Sequence, residues 1–154
     1  DLLSRLAKRP YSLQELESGP LLSSTRLFID EQDALYAPQG LGRSEPHVLG
    51  ALLAQEWLAY SMLTRLYEGA RNYQYLYTDN DEFHEQCEYF HIHIGDAEKE
   101  HKVQAVEAAA IECCTEEDFS GLCQGFNRFL SITERYWQGI AVAMGDIPAA
   151  AVRA

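Results

Sequence analysis

Residues 46–67 read PHVLGALLAQEWLAYSMLTRLY. Leu49, Leu52, Leu53, Trp57, Tyr60, Leu63 and Tyr67 recur there at steps of three and four, which lays an apolar stripe along about six turns of helix. Pro46 suits a first helical turn, where its missing N–H costs nothing, and Gly69 suits the end. No part of the chain alternates apolar and polar residues as a half-buried strand does. The fold class that follows is all-α, without an internal repeat.

On the N-terminal side the chain is punctuated by Pro10, Pro20, Pro38, Gly19, Gly40 and Gly42. Short helices are expected over residues 2–8 and 12–17 and a third across 23–35, with residues 37–45 (APQGLGRSE) as a loop. On the C-terminal side a tyrosine-rich connection over 71–80 ends in Thr78-Asp79-Asn80-Asp81, a good N-cap region. One long helix is expected from about 81 to 114. Thr115-Glu116-Glu117-Asp118 then caps another, running to Met144 with Phe119, Leu122, Phe126, Phe129, Leu130, Ile132, Tyr136 and Trp137 inward. The expectation is one helical domain over 1–154, with N-terminal helices and a loop in 1–45 and three long core helices in 46–144.

The chain has 154 residues, 47% hydrophobic and 23% charged, as an ordinary globular domain has. With 12 Lys and Arg against 24 Asp and Glu, it lacks the basic surface that nucleic acid or an anionic membrane would require. No run approaches the roughly 18–20 apolar residues of a membrane span. No basic-then-apolar leader follows Asp1, and Cys87, Cys113, Cys114 and Cys123 include no Cys-x-x-Cys pair. Reduced thiols in a cytoplasmic protein are expected.

The charge is concentrated. Residues 78–118 hold 13 acids, only Lys99 and Lys102 as bases, and four of the five histidines: His84, His91, His93 and His101. Such a segment is either a solvated helix or a metal site. Glu56 is a separate anomaly, a carboxylate in the middle of the apolar stripe. Placed inward it must be paired, hydrogen-bonded or bound to a cation, because an isolated buried charge is very costly. At the stripe's edge it would reach solvent or an arginine.

Glu98 and His101, three residues apart, share a helix face and can point at one ion, as Glu-x-x-His pairs do in helical di-iron carboxylate sites. His93 lies five residues before Glu98, one more than a regular helix favours, and a single-turn π-bulge beside Gly95 would absorb the excess. His84-x3-Glu88-x2-His91 is a rival set with regular spacing. Singly, each histidine is better read as a surface or capping residue. Taken together, Glu56, His93, Glu98 and His101 favour a metal site.

Leu49-Gly-Ala-Leu-Leu-Ala-Gln-Glu56-Trp, followed by Glu88-Tyr-Phe-His-Ile-His93-Ile-Gly-Asp-Ala-Glu98-Lys-Glu-His101, resembles the C-terminal half of the haem-oxygenase-like di-metal oxidases and oxygenases, a group that includes the TenA-like and CADD-like proteins. The resemblance spans roughly residues 46–143. It implies that Glu56 is the glutamate of one helix and that Phe90, His93, Glu98 and His101 are the aromatic, first histidine, carboxylate and second histidine of a later one. The family's commoner spacing is His-x3-Asp-x2-His, so His91 remains the alternative to His93. Two further ligands, a glutamate and a histidine, come in that family from the N-terminal half. Here only His47 precedes Glu56 among the histidines, so either a segment near 33–45 is missing from the sequence, which is the preferred expectation, or the chain is a degenerate member.

The resemblance implies two iron ions, with manganese as the alternative. It also implies dioxygen and a small amine, amino acid or fatty acid as co-reactants. Neither nucleic acid nor membrane is an expected partner, and a homodimer is an assembly the chain could form. Tyr60, Tyr67, Tyr73, Tyr75, Tyr77 and Tyr89 are expected to fill core and cover helix surfaces rather than line a pocket, and Cys87 to be a small buried side chain. Three other readings remain on the same sequence. One is haem binding through His84, His91 or His93, another a metal-free thiaminase-like enzyme, and the last a non-catalytic helical interaction protein.

Overall fold

The computed structural model describes residues 2–37 and 45–145, without the side chains of 96–99. The loop expected over 37–45 therefore lies almost wholly outside the described residues. So does the suspected gap, apart from the end of the third helix. Every regular element among the described residues is helical: α1 Leu2–Ala7, α2 Leu13–Ser18, α3 Ser23–Tyr36, α4 Glu45–Arg71, a 3-10 turn at Gln74–Leu76, α5 Asn80–Gln86, α6 Glu88–Ile94, α7 Asp96–Glu112 and α8 Glu116–Met144. None of these helices is long and apolar enough to cross a membrane.

Local chemistry accounts for the helix ends. Ser12 and Glu15 form a capping box at α2, and Asp79 accepts from the Glu82 N–H at α5. Thr115 and Asp118 form a second box at α8, each satisfying a backbone N–H that has no helical partner. That box holds the Asp118 carboxyl below its ordinary range, the Thr115 hydroxyl being the main cause. The far end of α8 stops at Gly145, whose φ of 80° is left-handed backbone that glycine adopts without steric cost.

Residues 81–114 are not the single helix expected. The ladder breaks at Cys87 (φ −100°, ψ 8°) and again at Gly95 (φ −76°, ψ −156°), giving α5, α6 and α7. The π-bulge expected between His93 and Glu98 is likewise replaced, since the surplus residue is taken up by ending α6 at Ile94 and restarting at Asp96. Glycine is a weak helix former, and Gly95 is where the ladder gives way.

The chain divides into two compact units. The first comprises Asp1–Pro20 and Trp57–Lys102. Its centre is Phe83, buried, with Tyr77 edge-on at 5.4 Å and Tyr67 roughly parallel at 6.5 Å. Leu63 and Cys87 are buried in the same unit. Arg5 ties α1 to it by lying over the Tyr77 ring at 4.3 Å, donating to the Leu76 carbonyl at 2.8 Å and pairing with Glu82.

The second unit comprises Leu21–Glu56 and Val103–Ala154. Helix α3 packs along α8, with Phe28 against Tyr136 at 4.8 Å and with Leu35, Phe129 and Ile132 buried. Glu31 of α3 accepts from Arg128 at 2.6 Å and from Arg135 through its other oxygen. Helices α4 and α8 meet backbone to backbone. A Cβ added at Gly125 would lie 1.8 Å from the His47 carbonyl oxygen, and one at Gly50 would lie 2.0 Å from that of Leu122. The buried face of α4 here is therefore Gly50, Ala51 and Ala54, while Leu52, Trp57 and Tyr60 of the expected stripe are exposed. On α8, Phe129 and Ile132 are buried as expected, but Phe119 is 62% exposed.

Gly125→Ala is expected to lower stability by about 1–3 kcal/mol through overpacking. Gly69→Ala, where an added Cβ meets nothing within 4 Å, should be neutral or raise stability by up to about 1 kcal/mol. Thermal unfolding of the two variants beside the parent chain checks both signs.

Candidate metal centre

Glu56 sits on α4, half-buried, at the end of the second unit's share of that helix. Tyr36 of α3 lies close enough to feel its charge. The Tyr36 hydroxyl donates to Gln55 Oε1 at 2.9 Å, bridging the end of α3 to the residue before Glu56. Burial, reinforced by the negative charge of Glu56, pushes the Tyr36 phenol up to about 12. The carboxylate thus has a neutral, hydrogen-bonded phenol for a neighbour at physiological pH. Neither Tyr36 nor Gln55 stands out in the sequence. A tyrosine closing one helix signals nothing until the fold brings it to a second.

The other candidate ligands belong to the first unit. His93 lies in the last turn of α6, half-buried, with Nδ1 2.7 Å from the Tyr89 carbonyl oxygen one turn earlier. Since a carbonyl only accepts, Nδ1 is the protonated nitrogen and Nε2 carries the lone pair. Metal-binding histidines are commonly oriented this way, with one ring nitrogen bonded to backbone and the other left to ligate. The Tyr89 ring lies over the imidazole at 4.2 Å between centroids, further fixing its plane. His101 is exposed on α7, and Glu98 stands in the first turn of that helix with its side chain outside the described residues.

His91, the alternative to His93, is oriented differently. Its Nε2 lies 3.2 Å from Nδ1 of His84, and its ring meets the edge of Tyr67 at 5.0 Å. Glu88, the carboxylate of that rival set, is exposed at the start of α6. Cys87 between them is 4% exposed, and burial raises its thiol pKa. That is the behaviour of a structural thiol rather than a ligand. Among the described residues no group of three or more His, Cys, Asp and Glu side chains gathers to hold an ion. Of the tyrosines, Tyr67 and Tyr77 pack against Phe83, whereas Tyr60, Tyr73, Tyr75 and Tyr89 are exposed.

Two solution measurements follow. In its neutral form His93 should be the Nδ1–H tautomer, visible in the long-range nitrogen–proton couplings of the imidazole, and Tyr89→Phe should leave it so because the acceptor is backbone. A phenol pKa raised in the folded state supports stability below the ordinary value near 10 and withdraws that support as pH climbs through about 12. Alkaline unfolding of the parent should therefore show a loss between those limits that Tyr36→Phe lacks.

No protein-family model and no solved structure matches the chain. Among curated proteins it is similar to the 4-chloro-allylglycine synthase of Streptantibioticus cattleyicolor, an enzyme. The two are 28% identical over 140 residues, which cover 91% of this chain and 50% of the synthase, so the chain spans about half the length of that relative.

Proposed function

We propose that this chain is the ligand-bearing part of a haem-oxygenase-like di-metal oxidase or oxygenase that acts on an amino acid or a closely similar small amine. The similarity to 4-chloro-allylglycine synthase carries the reading. A match covering 91% of the chain includes both the Glu56 helix and the stretch from His93 to His101, and the relative's name is that of an amino-acid product. Fatty acids, the third substrate class the family resemblance allows, gain no support from it.

The donor chemistry suits iron. Glu56, Glu98, His93 and His101 are carboxylates and imidazoles, the set that favours non-haem iron, with manganese as the nearest substitute. His93 supports this best among the described residues, because its Tyr89 bond commits Nδ1 and leaves Nε2 to ligate. That also favours His93 over His91. Bound iron would supply the reduction of dioxygen to an oxidant able to attack a C–H bond. The protein's own part is to hold the ligands and to keep charge balanced around them. Tyr36 contributes by fixing Gln55, and with it the turn of α4 that carries Glu56. The encoded sequence around residues 33–45 is where the family's further glutamate and histidine are to be sought.

Purified protein supplied anaerobically with ferrous iron should take up as many as two equivalents and change its absorbance when oxygen is admitted. Glu56→Ala and His101→Ala should each reduce uptake by at least one equivalent. Unchanged iron binding in both would refute the reading. Activity that survives a chelator would point instead to thiaminase-like chemistry.

A further inference from the structure

His84 and His91 form a pair that the iron site does not use. His84 lies in the last turn of α5 and His91 in the last turn of α6. Residues seven apart on a continuous helix are separated by about 10.5 Å along its axis. The break at Cys87 changes that relation, and the two rings come to face each other, with Nδ1 of His84 3.2 Å from Nε2 of His91 and centroids 5.3 Å apart. Aromatic neighbours steady both rings. Tyr67 meets His91 at 5.0 Å, and the buried Phe83 lies 5.8 Å from His84. Both imidazoles are open to solvent.

The spacing has a chemical meaning. Two imidazole nitrogens bound to one tetrahedral ion at about 2.0–2.1 Å stand about 3.3 Å apart. The pair is thus already at the separation of two ligands on a shared ion. The local charge favours a cation as well: Asp79, Asp81, Glu85 and Glu88 flank the pair in the sequence, whereas Glu82 is already paired with Arg5.

We infer that His84 and His91 form a second, solvent-facing transition-metal site that takes one divalent ion, copper(II) more tightly than zinc(II). Water completes the coordination. Imidazole donors suit both ions, and copper leads the affinity order for such sites. In the metal-free pair of neutral rings one facing nitrogen donates and the other accepts. Loading moves the donor ring's proton to its far nitrogen, which leaves two lone pairs facing the ion without net proton release. The site uses none of Glu56, His93, Glu98 and His101 and does not depend on the oxidase reading.

The test is a copper(II) chloride titration of the full chain carrying Glu56→Ala and His101→Ala, followed by electron paramagnetic resonance. One equivalent with hyperfine splitting from two nitrogens is expected, with zinc chloride as a weaker competitor. Adding either His84→Ala or His91→Ala should weaken copper binding at least tenfold while circular dichroism shows the helices retained. Affinity within twofold of the parent in both histidine variants, or a spectrum without two nitrogens, overturns the site. Ferrous uptake by the single variant His84→Ala is measured alongside. It should equal that of the unmutated chain, and it reports on the iron site alone, so failure of one reading is distinguishable from failure of the other.

Discussion

The second unit depends on a near-contact of backbones. At Gly125 and Gly50 helices α4 and α8 come so close that a methyl group would penetrate the facing carbonyl oxygens. Such an approach replaces side-chain interdigitation with contacts of the main chain and of small residues, as the burial of Ala51 and Ala54 reflects. It also fixes the rotation of α4 about its axis. With Gly50, Ala51 and Ala54 turned to α8, Glu56 is left half-buried and Gln55 meets Tyr36 of α3. The surroundings of the carboxylate are thus consequences of where two glycines sit.

What could be read from the sequence follows from the range of the forces involved. Helix α8 was legible at both ends because a capping box and a left-handed glycine are local devices, complete within four residues. The all-α class was legible because periodicity is local as well. The stripe on α4 misled: its large apolar residues mark a helix correctly, yet the buried face is the small-residue face, chosen by a partner helix more than fifty positions away. The run from 81 to 114 was harder still. Its composition suits a helix throughout, Gly95 gave only a hint, and Cys87 carries no signal of a break. The candidate ligands are visible as residue types, whereas the Tyr89 anchor of His93 and the Tyr36 bond beside Glu56 exist only in the folded chain.

The acidic segment gains structure from its interruptions. A continuous helix of that composition would set like charges along its length with only Lys99 and Lys102 to offset them. Divided at Cys87 and Gly95, it presents three helix N-termini, and Asp81 and Glu82 of α5 and Glu88 of α6 stand in first turns, where the helix dipole favours negative charge. The same division separates the roles of neighbouring histidines. His93 is turned to its own backbone and His91 to His84, although only one residue lies between them.

Glu31 couples three positions that lie far apart in the chain. Its two oxygens are divided between Arg128 and Arg135 of α8, so one carboxylate is the shared counter-ion of both guanidinium groups. A neutral residue at 31 would leave two cations facing each other, and loss of either arginine would leave half the carboxylate without its partner. Viable changes at any of the three therefore require compensation at the others. Across homologous sequences these positions should drift as a set, making the α3–α8 pairing detectable from correlated substitution alone.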